Sequence, residues 1–305
     1  MSEGKGLLLV FMTAIVSGAS LFANNFAVKG FNNPFVFTFL KNAVVAAFLL
    51  SIILLLREWP SIKGLSRKQV GKLATIGLVG GSIPFLLFFY GLKLTTAINA
   101  GFIHKTLFLW ASLFAFFFLK EKTNHGFVAA AILLLAGNFL LFSISSFALP
   151  EILVLAATLF WALEASLSKN VLKELSGSVV AFGRMFFGSI FILAFLAFTG
   201  QVHGIAEITQ GQWLWVILTS LFLLAYVLTW YSGLKHLPVH KATATLLLAQ
   251  PVTALLSITF LGEELSAEQC IGLLLVIAGV FLSLGYGFLL QNAKSKGLSI
   301  AANRN

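Results

Sequence analysis

The stretch WALEASLSK puts Trp161, Glu164 and Ser168 on one side of a helix, since residues three and four apart share a face. Glu164 is the one acid deep within an apolar run. A carboxylate in a low-dielectric setting can hold a proton at physiological pH, which makes Glu164 the candidate for proton coupling. Its competing role is that of a fixed counter-ion to Lys105 or Arg184. Three cations, Lys41, Lys105 and Arg184, also lie inside apolar runs. Lys41 and Arg184 each fall about seven residues into a run, roughly 10 Å deep at the helical rise, and Lys105 about eight residues, near 12 Å. Gly101, Lys105, Phe108 and Ser112 share a face, which suits a wet cavity better than lipid. A cation at such depth can meet an acidic group of a solute, form a structural ion pair, or snorkel to an interface. With His104 beside Lys105 and the amide of Gln250 before Pro251, the candidate substrate-binding set is Lys41, His104, Lys105, Trp161, Arg184 and Gln250.

Other chemistries lack their residues. A single cysteine, Cys270, excludes an internal disulfide and a cysteine-based metal cluster, and the five histidines show no HExxH-like spacing. No GxxxxGK[ST] loop occurs, which argues against ATP-driven work by this chain alone. A membrane-embedded enzyme would need paired acids, a nucleophile with its base, or a metal cluster in one cavity. The sequence thus predicts neither an enzyme nor a metal or cofactor site.

These residues are positioned by an unusually apolar chain. Of 305 residues, 59% are hydrophobic and 10% charged, with a mean hydropathy of +0.99. A soluble domain is about 25% charged, so most of this chain has lipid as its solvent. A bilayer core takes roughly 20 helical residues. Ten windows of that size occur, at about 6–24, 34–56, 72–92, 97–119, 126–144, 150–171, 177–200, 212–234, 239–260 and 267–290. None alternates as barrel strands do. The first is read as a retained span rather than a cleaved signal, because removing it would break the pairing described below.

With the amino terminus in the cytoplasm, the inner segments hold fifteen basic residues: Lys5, Arg57, Lys63, Arg67, Lys68, Lys72, Lys120, Lys122, Lys169, Lys173, Lys235, Lys241, Lys294, Lys296 and Arg304. The outer segments hold two, Lys29 and Lys93. This is the positive-inside bias, and an odd number of spans would destroy it halfway along. It accounts for the net charge of +10 without nucleic-acid binding. Trp213 and Trp215, at a span start, read as interface anchors. Gly77, Gly80 and Gly81 read first as close helix packing. Pro84 and Pro251 are the candidate hinges.

The chain also repeats itself. GLK at 91–93 matches GLK at 233–235; FFLKEKTN matches TFLGEELS, so Glu121 falls on Glu263; and the AG ending at Gly137 matches that ending at Gly279. All three share one shift of 142 residues, and a shift of 143 pairs Lys41 with Arg184. Five spans per half is an odd number, so the second half is expected upside down relative to the first, a frequent design among alternating-access transporters. The expected organisation is an all-α integral membrane protein of ten helices with both termini cytoplasmic. Its units would be a first repeat over 1–146, an inverted repeat over 147–290 and a polar tail over 291–305.

Ten spans in two halves, each with a GLK segment, a GE-like turn and a late AG, resemble the drug/metabolite transporter superfamily, and the EamA-type transporters most closely, over about 6–290. The second half carries the fuller signature, with Gln250-Pro251 followed by FLGEELSAEQCIGLLLVIAGV. The first departs from it, with Leu109 and Trp110 where the family often has a proline. The resemblance implies a multi-pass protein of the plasma or inner membrane that moves a small organic solute. The solute could be an amino acid, an organic anion or a drug-like compound, moved with or without a coupled proton. An excess of buried cations over the single acid favours a solute carrying negative charge or a carboxylate, an amino acid included, whose amine Glu164 could meet. A passive facilitator or exchanger of the same fold is the alternative.

Overall fold

The computed structural model describes residues 3–140, 148–262 and 264–302, with side chains for all of these except 97–98 and 286–302. Glu263 and Arg304 lie outside the described residues, as do the side chains of Lys294 and Lys296. The described chain is helical throughout. In order, its helices are α1 (Glu3–Lys29), α2 (Pro34–Leu55), the short α3 (Trp59–Lys63), α4 (Arg67–Gly81), α5 (Ile83–Leu94), α6 (Ala97–Lys105) and α7 (Leu107–Phe114). They continue as α8 (His125–Leu140), α9 (Leu149–Val171), α10 (Gly177–Phe198), α11 (Gln210–Leu234), α12 (Val239–Thr245), α13 (Ala249–Leu261) and α14 (Ala267–Ala302).

Among the described residues, nine helical stretches are long and apolar enough to cross a membrane. The expected fifth span is represented by the shorter apolar helix α8, of 16 residues. The expected polar tail is helical as far as Ala302, continuing α14. Two spans are interrupted, one beside the candidate hinge Pro84 and one where the sequence predicts an unbroken run. α4 gives way to α5 at Ser82, whose φ of −128° and ψ of −74° lie outside the helix, and α6 gives way to α7 at Thr106. A third interruption, the tight turn Leu246–Leu248, separates α12 from α13. Pro84 and Pro251 sit in the first turns of α5 and α13, where a missing N–H costs little.

Helix starts follow from local chemistry. Asn33 accepts hydrogen bonds from the amides of Phe35 and Val36, with Pro34 opening α2. Ser66 and Gln69 form a reciprocal capping box for α4, as do Thr209 and Gln212 for α11.

The repeated motifs turn out to be packing devices. A Cβ on Gly91 would stand 2.9 Å from the Pro150 carbonyl of α9, and one on Gly233 would stand 3.0 Å from the Gly6 carbonyl of α1. The lysine of each GLK serves as a carbonyl cap. Lys93 Nζ donates to Phe31 O and Asn32 O at 2.6 Å, and Lys235 Nζ donates to Leu175 O at 3.0 Å. Gly137 of α8 abuts the Gly272 carbonyl of α14, while Gly279 of α14 abuts the Ala130 carbonyl of α8. Between α4 and α10, Gly81 lies against the Arg184 carbonyl and Gly188 against the Gly81 carbonyl. In lipid, where apolar surface gains nothing by leaving the solvent, this close backbone approach is what binds helices together.

Glu121 follows the same logic. Its carboxylate accepts from the amides of Val239 at 3.0 Å and His240 at 3.5 Å, and contacts His240 Nδ1 at 2.9 Å, so it caps α12. Burial pushes its acidity down, but the His240 ring and the Val239 amide outweigh that and hold the carboxyl below its ordinary value of 4.5. A carboxylate held below its unfolded value stabilises the fold above that value and loses the contribution as pH falls through the lower, folded one. Glu121→Ala is therefore expected to lower stability by about 1 kcal/mol at neutral pH, with the deficit vanishing in acid. Melting of the detergent-purified protein checks this; an unchanged midpoint at neutral pH would remove the capping role.

Candidate functional site

Between the helices lies a cavity, largely apolar with a few polar and charged side chains on its wall, lined from both halves of the chain. α1 contributes Ser17, Ser20, Leu21 and Asn24, α2 contributes Lys41, and α5 contributes Phe85, Phe88 and Phe89. His104 and Leu107 come from α6 and α7, Trp161, Glu164 and Ala165 from α9, and Arg184 from α10. α11 adds Leu223, Tyr226 and Trp230. About 90 Å³ is open to the centres of water-sized molecules. A single water needs roughly 10–15 Å³ by that measure, so the space suits a small organic solute.

Five of the sequence-predicted residues meet on this wall: Lys41, His104, Trp161, Glu164 and Arg184. Lys105 and Gln250 do not. Lys105 is buried behind the wall and donates to Ser17 Oγ at 3.2 Å. Gln250 Nε2 donates to Asn138 Oδ1, whose own amide donates to the Phe102 carbonyl at 3.1 Å. This amide chain joins α13 to α8 and α6 rather than facing the cavity.

Glu164 sits in the more elaborate part of the site. Tyr231 Oη donates to its Oε1 at 2.7 Å, Ser168 Oγ donates to the same oxygen, and Arg184 Nη1 stands 3.9 Å from Oε2. Arg184 also donates to Tyr231 Oη at 3.1 Å and to the Gly80 carbonyl at 3.0 Å, while Trp161 Nε1 donates to that carbonyl at 2.9 Å. Gly80 is required here: a Cβ on it would overlap the Glu164 side chain. Four helices, α4, α9, α10 and α11, are thereby tied through one acid and one guanidinium. The counter-ion facing Glu164 is Arg184, not Lys105.

Lys41 is arranged differently. It is 1% exposed, and its ammonium donates to Asn24 Oδ1 at 2.7 Å. It stands 4.7 Å from the centre of the Phe89 ring and 5.8 Å from that of Phe37, the geometry of cation–π attraction. Among the described residues, no carboxylate lies within ion-pairing distance of it. His104 packs edge-on to Trp161 and Phe88, at 5.0 and 5.4 Å between ring centres, and its Nδ1 has no hydrogen-bond partner among the described residues.

Tyr231, which hydrogen-bonds both Glu164 and Arg184, is a residue that sequence reasoning missed, and a signal for it existed. It falls 142 residues after Phe89, so the repeat that pairs Lys41 with Arg184 also pairs the ring beneath Lys41 with the ring beside Arg184. Tyr226 and Trp230, one helical turn apart on α11, also line the cavity and were not singled out from the sequence.

The EamA-like transporter family model matches the chain twice, over residues 4–143 and 148–285. An uncharacterized transporter of Clostridium kluyveri is 25% identical over 98% of this chain and 97% of its own. An uncharacterized transporter of Archaeoglobus fulgidus is 26% identical, covering 91% of this chain and 84% of its own. The uncharacterized transporter YyaM of Bacillus subtilis is 25% identical over 79% and 81%. One solved crystal structure superposes with a TM-score of 0.72 at 19% identity, covering 92% of this chain and 98% of that one, and so shares its fold.

Proposed function

The chain belongs to the EamA-like transporter family, and from that premise we propose that it moves a small organic metabolite across the cell membrane by alternating access, with the cavity as the substrate site. The family and the relatives it matches are transporters, not enzymes, and the chain is a multi-pass α-helical membrane protein. The observation that carries the reading is a cavity with Lys41, Glu164 and Arg184 on its wall, enclosed by apolar helices from both halves of the chain. Charges at such depth in a membrane protein belong to substrate or ion pathways.

Alternating access needs two bodies that can exchange positions around one site. The two successive family matches, the twin GLK contacts, and the reciprocal glycine seam of α8 and α14 all support two equivalent five-helix units. The excess of lysine and arginine in alternate loops supports ten spans, inverted halves and cytoplasmic termini. On this reading α8 is the fifth span.

In the coupled form of the mechanism Glu164 takes the proton, since among the described residues it is the only carboxylate on the cavity wall. Its contacts with Tyr231, Ser168 and Arg184 favour a second form, in which it stays ionised as a counter-ion and the protein is an uncoupled facilitator or exchanger. Proteoliposomes with an imposed pH gradient separate the two. A panel of amino acids, organic acids, phosphorylated metabolites and cationic drugs is scored for solute and proton movement, in the native protein and in Glu164→Gln. Substrate-dependent proton flux that disappears in the variant supports coupling. Exchange that ignores the gradient and survives the substitution supports the facilitator. A panel in which no solute moves would sink the transport reading.

A further inference from the structure

We propose that the solute is a monoanion with an aromatic body, its carboxylate seated on Lys41 and its ring held by the aromatic wall of the cavity. This rests on the transport reading and narrows its substrate class.

The argument begins with charge. Glu164 and Arg184 compensate each other across 3.9 Å, with Tyr231 bridging them. Lys41 has no carboxylate partner among the described residues: it has one neutral amide oxygen and the faces of two rings. A buried ammonium without a counter-charge is unfavourable, and neither an amide oxygen nor a ring quadrupole supplies a full negative charge. A bound carboxylate supplies what the protein omits. A phosphate monoester would bring nearly two charges to the one ammonium on the wall, since Lys105, the other buried ammonium, lies behind Ser17, so a monoanion is the better match.

An added ammonium on the solute finds no place. Glu164 is the only carboxylate on the wall among the described residues; its Oε1 already accepts two hydroxyl hydrogens and its Oε2 faces the guanidinium. An amine brought to Glu164 would stand beside Arg184 and be repelled. The site therefore selects a simple acid over the matching amino acid.

The rest of the wall sets the body of the solute. Trp161 lies edge-on to Phe85 and tilted to Phe88, at 5.4 and 5.2 Å between ring centres, and Trp230 faces the space from α11. Rings so disposed accept a further ring edge-to-face, a gain that a saturated ring of equal size does not share.

The test uses the full chain, purified and reconstituted, with a matched set of probes: 3-phenylpropionate, phenylalanine, phenethylamine, 3-phenylpropanol and 3-cyclohexylpropionate. Uptake of labelled 3-phenylpropionate above that of protein-free liposomes is expected. Phenylalanine, phenethylamine and 3-phenylpropanol should compete roughly tenfold more weakly or worse, and the cyclohexyl acid roughly fivefold more weakly. Lys41→Met should weaken 3-phenylpropionate about tenfold or more, while Lys41→Arg, which keeps the charge, should retain most of the affinity. Melting of both variants in detergent confirms that each is folded. Transport of phenylalanine, phenethylamine or 3-phenylpropanol in preference to the acid, or uptake of the acid that is indifferent to Lys41→Met, overturns the inference and leaves the transport reading intact. Absence of flux for these probes, with flux for some solute of the wider panel, also overturns the inference alone. Absence of flux for both sets removes the transport reading and the inference with it.

Discussion

Arg184→Met is expected to destabilise the protein by about 3–5 kcal/mol, because it strands a buried carboxylate. Arg184 is 4% exposed and Glu164 2%, so water cannot replace the lost partner. The Gly80 carbonyl and the Tyr231 hydroxyl lose a donor at the same time, though Trp161 still serves the carbonyl. The double variant Arg184→Met/Glu164→Gln removes both charges and should recover most of the loss. A neutral amide can still accept from Tyr231 and Ser168. Glu164→Gln alone should cost less than Arg184→Met, since the guanidinium keeps its bonds to Tyr231 and Gly80. The check is a double-mutant cycle on unfolding in detergent. A loss in the double variant equal to the sum of the two single losses would mean that the charges do not interact.

Gly81→Ala and Gly80→Ala, adjacent and chemically identical, are expected to fail in different ways. At Gly81 the new methyl would overlap the Arg184 carbonyl, which is backbone and fixed within α10. The helices must separate, so Gly81→Ala should cost about 3 kcal/mol or more, the upper part of the overpacking range, and greatly reduce yield of folded protein. At Gly80 the overlap is with Cγ, Cδ and Cβ of Glu164, a side chain that can move only by giving up part of its contacts with Tyr231, Ser168 and Arg184. Gly80→Ala should therefore fold with a loss of about 1–3 kcal/mol, and lose whatever activity depends on the position of Glu164. Melting and proteoliposome flux measured on both variants test this. A Gly81→Ala protein as stable and active as the native one would show that the α4–α10 seam tolerates expansion.

How much of this was legible in the sequence differs by the range of the forces involved. Membrane spans are written in continuous apolar runs, and the runs were found at the expected places, except that α8 is shorter among the described residues and α14 longer. Motif repetition located the packing seams around Gly91, Gly137, Gly233 and Gly279 because a backbone contact demands the same small residue each time it recurs. The break at Thr106 was invisible, for no proline marks it. The Thr106 hydroxyl donates to the Ile103 carbonyl at 2.7 Å and receives Trp110 Nε1 at 3.3 Å, a local competition that any threonine can enter or decline. The partners of buried charges were the least legible. Depth along a helix follows from counting, so Lys41, Glu164 and Arg184 were placed. Rotation about the helix axis decides who faces whom, and that is set by neighbours distant in sequence. It turned Lys105 toward Ser17 and Gln250 toward Asn138, away from the cavity.

The carbonyl-capping lysines also govern which parts of the molecule can travel separately. Lys93 fastens the turn after α1 to the end of α5, and Lys235 fastens the turn after α9 to the end of α11. Lys169 adds bonds at 2.7 Å from α9 to the carbonyls of Leu234 and Leu237. Hydrogen bonds from a charged donor are worth about 1.5–3 kcal/mol each, so these fastenings act as rivets during any motion driven by a single bound solute. The joints must then lie elsewhere, and the interruptions at Ser82, Thr106 and Leu246–Leu248 are the places where a span can flex without unfastening a rivet.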